Sequence, residues 1–223
     1  MAALGRHIRG CGGKGLALYG RLIHWTGKFS VSGLDHLEQA VNGAWPTILA
    51  SWHGQTHLQL GYLLGAIDLS RLVLIVPDDH RRQVLESFAR SIGAHAYAVA
   101  MSDESLAGAR RLLRLIRSLP ERGLCYIAPD GPDGPARAPK PGIAFVSEKA
   151  QAQILPIGAE AWPCLRQRRW DHYIMPLPFA RVSVAFRSPL RVAGRTDRDA
   201  WLSVLTQELT AAKEDALAGL RRR

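Results

Sequence analysis

Cysteine is scarce in this 223-residue chain: Cys11, Cys125 and Cys164 are odd in number and lack metal-type spacing. A disulfide framework and a cysteine-based zinc site are therefore excluded, and a reducing compartment fits best. No apolar run near the start has the length of a secretory h-region, since Leu16 to Tyr19 is too short. Acidic residues are in deficit, 19 Asp and Glu against 29 Lys and Arg, which leaves a net charge of +10 and an isoelectric point near 10.2. Such a surplus calls for an anionic partner: nucleic acid, an anionic membrane surface, or a phosphorylated or acidic ligand. The arginines are not interleaved with aromatic residues and no nucleic-acid motif is present. No nucleic acid is expected, and a membrane surface or a phosphate-bearing ligand is favoured. Charge vanishes altogether from Gln39 to Ile67. Pro46, His53, Gln55, His57 and Gln59 in that stretch would be costly in lipid, so it reads as a buried strand and helix rather than a membrane span.

What is present is enough for one folded domain, at 47% hydrophobic residues and with no repeat or linker. Residues 1–30 form an N-terminal segment, in which Leu16, Leu18, Tyr19, Leu22, Ile23 and Trp25 alternate with cations. Two readings suit that pattern, a helix lying on a membrane surface or one packed on the protein's own core. In residues 31–223 apolar strands alternate with helical patterns. Strands are expected at 47–52, 72–76, 124–128, 154–159 and 181–187. Helices are expected at 55–67, at 82–92 (stopped by Gly93), from Ser102 or Asp103 to Ser118, at 143–149 and from about Asp197. The alternation predicts an α/β domain, a mostly parallel central sheet flanked by helices.

Two places carry chemistry. From Pro129 to Gly142, eight of fourteen residues are proline or glycine, directly after the apolar strand ending near Ala128. Proline cannot donate to a sheet ladder and glycine reaches angles other residues avoid, so this is a shaped loop at a strand's carboxyl end, where α/β sheets bind ligands. Asp130 and Asp133 give it carboxylates, Arg137 and Lys140 cations. His53 ends the strand from Thr47 and opens a helix, which places a near-neutral base at the same sheet edge. His57 follows four residues later, the spacing of two zinc-hydrolase ligands, but Gly54 stands where those enzymes keep a glutamate base.

Four segments in order, Trp52-His53-Gly54, Pro129-Asp130-Gly131-Pro132-Asp133-Gly134-Pro135 with Lys140-Pro141-Gly142, Ile154-Leu155-Pro156-Ile157-Gly158, and Trp170-Asp171-His172-Tyr173 running to Pro176-Leu177-Pro178-Phe179, span roughly residues 30–192. Together they resemble the DUF374 branch of the lysophospholipid acyltransferase (PlsC-like) superfamily. The resemblance implies a single-domain PlsC-like fold and acyl transfer without a cofactor. The acyl donor would be acyl-CoA or acyl-carrier protein, and the acceptor a lipid hydroxyl. It places the protein peripherally on the cytoplasmic face of the bacterial inner membrane, an anionic surface. His53 would be the general base, with Asp130 the second catalytic residue. Gly131, Asp133, Gly134, Arg137, Lys140 and Pro156 would line the substrate site, Pro156 by shaping a loop. No metal is implied.

The sequence departs from that pattern. The aspartate expected five residues after the histidine falls at Leu58, so a carboxylate partner must come from elsewhere, with Asp78, Asp79 and Asp130 as the candidates. Asp133 replaces a basic residue of the loop, and Ala100-Met101-Ser102-Asp103 stands in place of Arg-Gly-Ser-Ser, so Arg137 and Lys140 are left to meet a phosphate. Two rival functions follow: a non-catalytic lipid-binding relative, motivated by Leu58, and a metal hydrolase built on His53 and His57. Trp170, Tyr173 and Phe179 suit either a membrane-facing edge or the core.

Overall fold

The computed structural model describes residues 2–99, 113–119, 121, 123–192 and 197–222. Seven strands form one sheet: β1 (Lys28–Ser32), β2 (Thr47–Ala50), β3 (Leu72–Pro77), β4 (His95–Val99), β5 (Leu124–Ile127), β6 (Gln153–Arg166) and β7 (Ile174–Phe186). The helices are α1 (Ala2–Thr26), α2 (Leu34–Asn42), α3 (Thr56–Ala66), α4 (Arg82–Ile92), α5 (Gly142–Ala150) and α6 (Arg198–Arg221), with further helical turns at 113–119. The rest of the helix expected from Ser102, and the segment 100–103, lie outside the described residues.

Strand order is β1-β7-β6-β2-β5-β3-β4. Every pairing is parallel except the antiparallel β6–β7 hairpin. The mostly parallel α/β sheet expected from the sequence is therefore present. Because helices cover both faces, the central strands are buried on both sides, and all four residues of β2 are inaccessible. Successive residues feed opposite cores. Leu49, Leu124 and Leu155 point toward α1, α2, α3 and α4, while Ile48, Cys125 and Ile154 point toward α5, α6 and residues 115–119. Cys125 is a buried free thiol, and burial pushes its pKa up.

The expected helix 82–92 forms at those residues, because Gly93 takes φ +87° and its N–H caps the last turn at Arg90 O. The short elements β1, α2 and β4 are additions to the sequence reading. Pro156 lies inside β6, opposite Ala50, as the expected strand at 154–159 places it, so the loop-shaping role given to it is corrected. A central strand tolerates it because its carbonyl, and hence the side lacking an N–H, faces Arg187, where β7 has already ended.

α1 lies on the body of the protein. Ala17 and Ile23 are buried, and a side chain at Gly13 would collide with the α4 backbone, 2.3 Å from Val84 O. Its opposite stripe of Leu18, Leu22 and Trp25 faces outward. Among the described residues no helix is long and apolar enough to cross a membrane.

Candidate active site

Strands β2 and β5 are adjacent and end at the same sheet edge, while β6, on the other side of β2, runs on past that edge before its hairpin turn comes back to it. β2 leads through Ser51 and Trp52 into a 3-10 turn, His53–Gln55; β5 leads into the proline/glycine loop; β6 leads into the turn of its hairpin with β7.

His53 Nδ1 lies 2.7 Å from Asp171 Oδ2, and the Asp171 side chain is fully buried while His53 is a quarter exposed. Asp171 sits on the hairpin turn, 118 positions along the chain. Its other oxygen is 3.7 Å from Arg169 Nε. A buried carboxylate on Nδ1 fixes the imidazole's orientation and leaves Nε2 as the free base. The glycines explain how the turn comes so close. A side chain on Gly54 would sit 2.2 Å from Asp171 O, and one on Gly131 2.8 Å from His53 Cδ2. Trp170 and Tyr173 pack against the His53 ring at centroid distances of 5.3 and 5.7 Å.

Asp130 holds the site together without touching the imidazole. Its Oδ1 accepts from the His53 backbone N–H at 2.9 Å and its Oδ2 from that of Arg137 at 3.0 Å. Both oxygens are committed to backbone, and the residue is 1% exposed, so Asp130 ties the loop to the end of β2. Asp78 pairs with Arg82 and Asp79 with Arg81, so neither candidate carboxylate reaches His53. Asp133 is held by Arg81 at 3.3 Å. Gly131 N–H donates to Ala128 O and Lys140 N–H to Pro129 O, which fold the loop back on itself. Gly134 adopts φ +77° against the Trp170 ring, where a Cβ would lie 2.7 Å from Cε3. Arg137 is exposed at the rim.

Beneath His53, the Tyr126 hydroxyl is shared by Ser51 Oγ, Thr56 Oγ1 and Gln59 Nε2 at 2.8, 3.0 and 2.8 Å, which anchors the start of α3 to the sheet. Burial pushes the Tyr126 pKa up to about 12. His57 faces elsewhere: its Nδ1 is hydrogen-bonded to the Tyr173 hydroxyl. Burial, and then the nearby His53, lowers its pKa to about 4, while burial raises that of Tyr173. The phenol therefore donates to a neutral ring. Both Nδ1 atoms of the proposed metal pair are engaged, and among the described residues no three His, Cys, Asp or Glu side chains converge as metal ligands.

Behind Asp171 lies a cavity of about 40 Å³, lined in part by Trp52, Gln55, Arg137, Arg166 and Lys213. Trp52 Nε1, the Gln55 amide and Asp171 Oδ1 make no hydrogen bond to described protein atoms. A space of this size, lined by polar groups, is large enough to hold water.

Sequence reasoning missed Asp171 as the partner. Trp170-Asp171-His172 belongs to the distinctive motif set, but nothing local ties that aspartate to His53.

No family model matches the chain. An uncharacterized protein of Rickettsia prowazekii (strain Madrid E), RP090, is 24% identical over 167 residues, covering 73% of this chain and 74% of that protein. The crystal structure of the 1-acyl-sn-glycerophosphate (LPA) acyltransferase PlsC from Thermotoga maritima superposes with a TM-score of 0.58 at 14% identity, over 95% of this chain and 81% of that one. The two share a fold.

Proposed function

We propose that this protein is an acyltransferase that moves a fatty acyl group from acyl-CoA or acyl-carrier protein to the hydroxyl of a lysophospholipid or related lipid. The observation that carries the reading is the His53–Asp171 pair at the carboxyl edge of a sheet shared in fold with PlsC. In the reaction, His53 Nε2 takes the proton of the acceptor hydroxyl as its oxygen attacks the thioester carbonyl carbon. The tetrahedral intermediate collapses, the C–S bond breaks, and the imidazolium returns the proton to the departing thiolate. General-base help of this kind contributes roughly 10²–10⁴ in rate. Asp171 stabilises the transient imidazolium. Asp130, Gly131 and Gly134 shape the floor, with Arg137 and Lys140 the cations available to an anionic acceptor. No cofactor beyond the acyl donor enters the scheme. The surplus of positive charge suits a peripheral position on an anionic surface, the cytoplasmic face of the inner membrane.

The lipid-binding, non-catalytic alternative was motivated by Leu58. That motive disappears once Asp171 supplies the carboxylate. The experiment is transfer from labelled acyl-CoA and acyl-carrier protein to a panel of lysophospholipids and lipid precursors, wild type beside His53→Ala. Product lost in the variant is the expected result; vesicle binding without product from either donor would favour the non-catalytic relative.

A further inference from the structure

The β6–β7 hairpin carries an irregularity whose shape and chemistry point outward. Between the pairs Trp162↔Arg181 and Cys164↔Pro176, β7 runs through residues 177–180 while β6 contributes only Pro163. β7 therefore bulges, and Leu177, Pro178 and Phe179 are all exposed. Phe179 takes φ +65°, a left-handed conformation that bulky side chains rarely adopt, and the residue is 73% exposed. Trp162 and Leu165 across the ladder are 63% and 60% exposed, and Leu177 is exposed beside them. Four large apolar side chains thus stand exposed along this stretch of the hairpin, where a folded protein ordinarily hides them.

The exposed charges of the hairpin have one sign. Arg166, Arg168, Arg169 and Arg181 are exposed, and the Arg181 guanidinium lies 5.9 Å from the Trp162 ring centroid. The only acids of the hairpin, Glu160 and Asp171, are buried, Glu160 against Arg166 at 2.6 Å and Asp171 against Arg169 at 3.7 Å, so Arg168 and Arg181 are the two of these arginines that no acid of the hairpin meets. An acidic protein would be met by the arginines alone and would gain nothing from a protruding Phe and Trp. An amphipathic surface, anionic outside and apolar a few ångströms in, matches both layers.

We propose that the knuckle of Trp162, Leu165, Leu177 and Phe179 docks the protein on an anionic lipid bilayer, with its apolar side chains in the headgroup boundary and Arg168 and Arg181 against lipid phosphates. Asp171 lies on the turn of the same hairpin, so docking sets the His53–Asp171 pair beside the lipid surface. The inference deepens the acyl-transfer reading by placing its lipid partner, and for that purpose it rests on that reading; the surface itself is argued independently.

The test is sedimentation of the full chain with vesicles of phosphatidylcholine alone and of phosphatidylcholine with phosphatidylglycerol. Binding to the anionic vesicles that weakens with salt is expected, together with a blue shift of tryptophan fluorescence lost in Trp162→Ser. The double variant Trp162→Ser, Phe179→Ser should lose about tenfold in partitioning per residue replaced. Both side chains are exposed, so folding is spared. Arg168→Glu with Arg181→Glu should abolish the preference for anionic vesicles. His53→Ala should partition as wild type does. Absent vesicle binding, or unchanged partitioning in the double variant, overturns the proposal; so does a dimer in solution that the double variant dissociates while vesicle affinity stays unchanged. Knuckle-dependent vesicle binding without acyl transfer would uphold the docking surface and overturn the enzymatic function.

Discussion

Replacing Asp171 by asparagine isolates the contribution of its charge. The carboxylate is fully buried, and its oxygen lies 2.7 Å from His53 Nδ1. When His53 takes the acceptor proton it becomes a cation beside that charge. At an effective dielectric near 20, unit charges about 4 Å apart attract by about 4 kcal/mol. At about 1.36 kcal/mol per tenfold this is about three powers of ten in rate, trimmed toward two because His53 is partly open to solvent. The asparagine amide can also turn its NH₂ toward Nδ1 and so stabilise the unproductive tautomer, which restores the larger figure. A fall of about 10³ in kcat/KM is expected, read from transfer of labelled acyl groups, with an unchanged thermal transition and near-ultraviolet dichroism. Activity within fivefold of wild type in Asp171→Asn, with His53→Ala inactive, would refute the role assigned to Asp171.

Other perturbations separate local packing from chemistry. Leu58→Asp restores the aspartate of the family spacing, yet Leu58 is fully buried, so the variant should lose more than about 3 kcal/mol in urea unfolding and gain no activity. Gly54→Ala would place a methyl group 2.2 Å from Asp171 O, and the displaced turn should cost about a hundredfold in rate; wild-type activity would mean that the turn yields freely. His57 has its pKa lowered from 6.5 to about 4, so the unfolded chain binds the extra proton first as pH falls. Its contribution is present above about pH 6.5 and is lost between there and pH 4, amounting to about 3 kcal/mol. Urea unfolding at pH 7 and pH 5 should show that slope in the wild type and a flatter one in His57→Gln; equal slopes would contradict a neutral buried His57.

Much of the fold was legible because its causes are local. Alternation of apolar strands with 3.6-residue periodicity required an α/β sheet, and Gly93 ended α4 where a left-handed residue was needed. Proline and glycine density located the loop after β5, and a strand-end histidine located the base. Elements with few residues and half-exposed faces, such as β1 and β4, left little period to read. Of the aromatic motif, Trp170 and Tyr173 proved to surround His53 while Phe179 alone stands in solvent, a division that alternation along the strand could not assign across a bulge.

The sequence by itself determined the class of fold, the surplus of positive charge, the shaped loop and the position of His53 at its edge, since each follows from composition or from neighbours within a few residues. Tertiary structure decided which carboxylate completes the pair. Asp130 lies in the loop beside His53, but its two oxygens are taken by backbone N–H groups, while Asp171 reaches the imidazole only because β6 pairs with β2 and brings its hairpin turn over the end of that strand. Pairing across more than a hundred residues is set by the burial of whole strands against each other, and no local pattern records it.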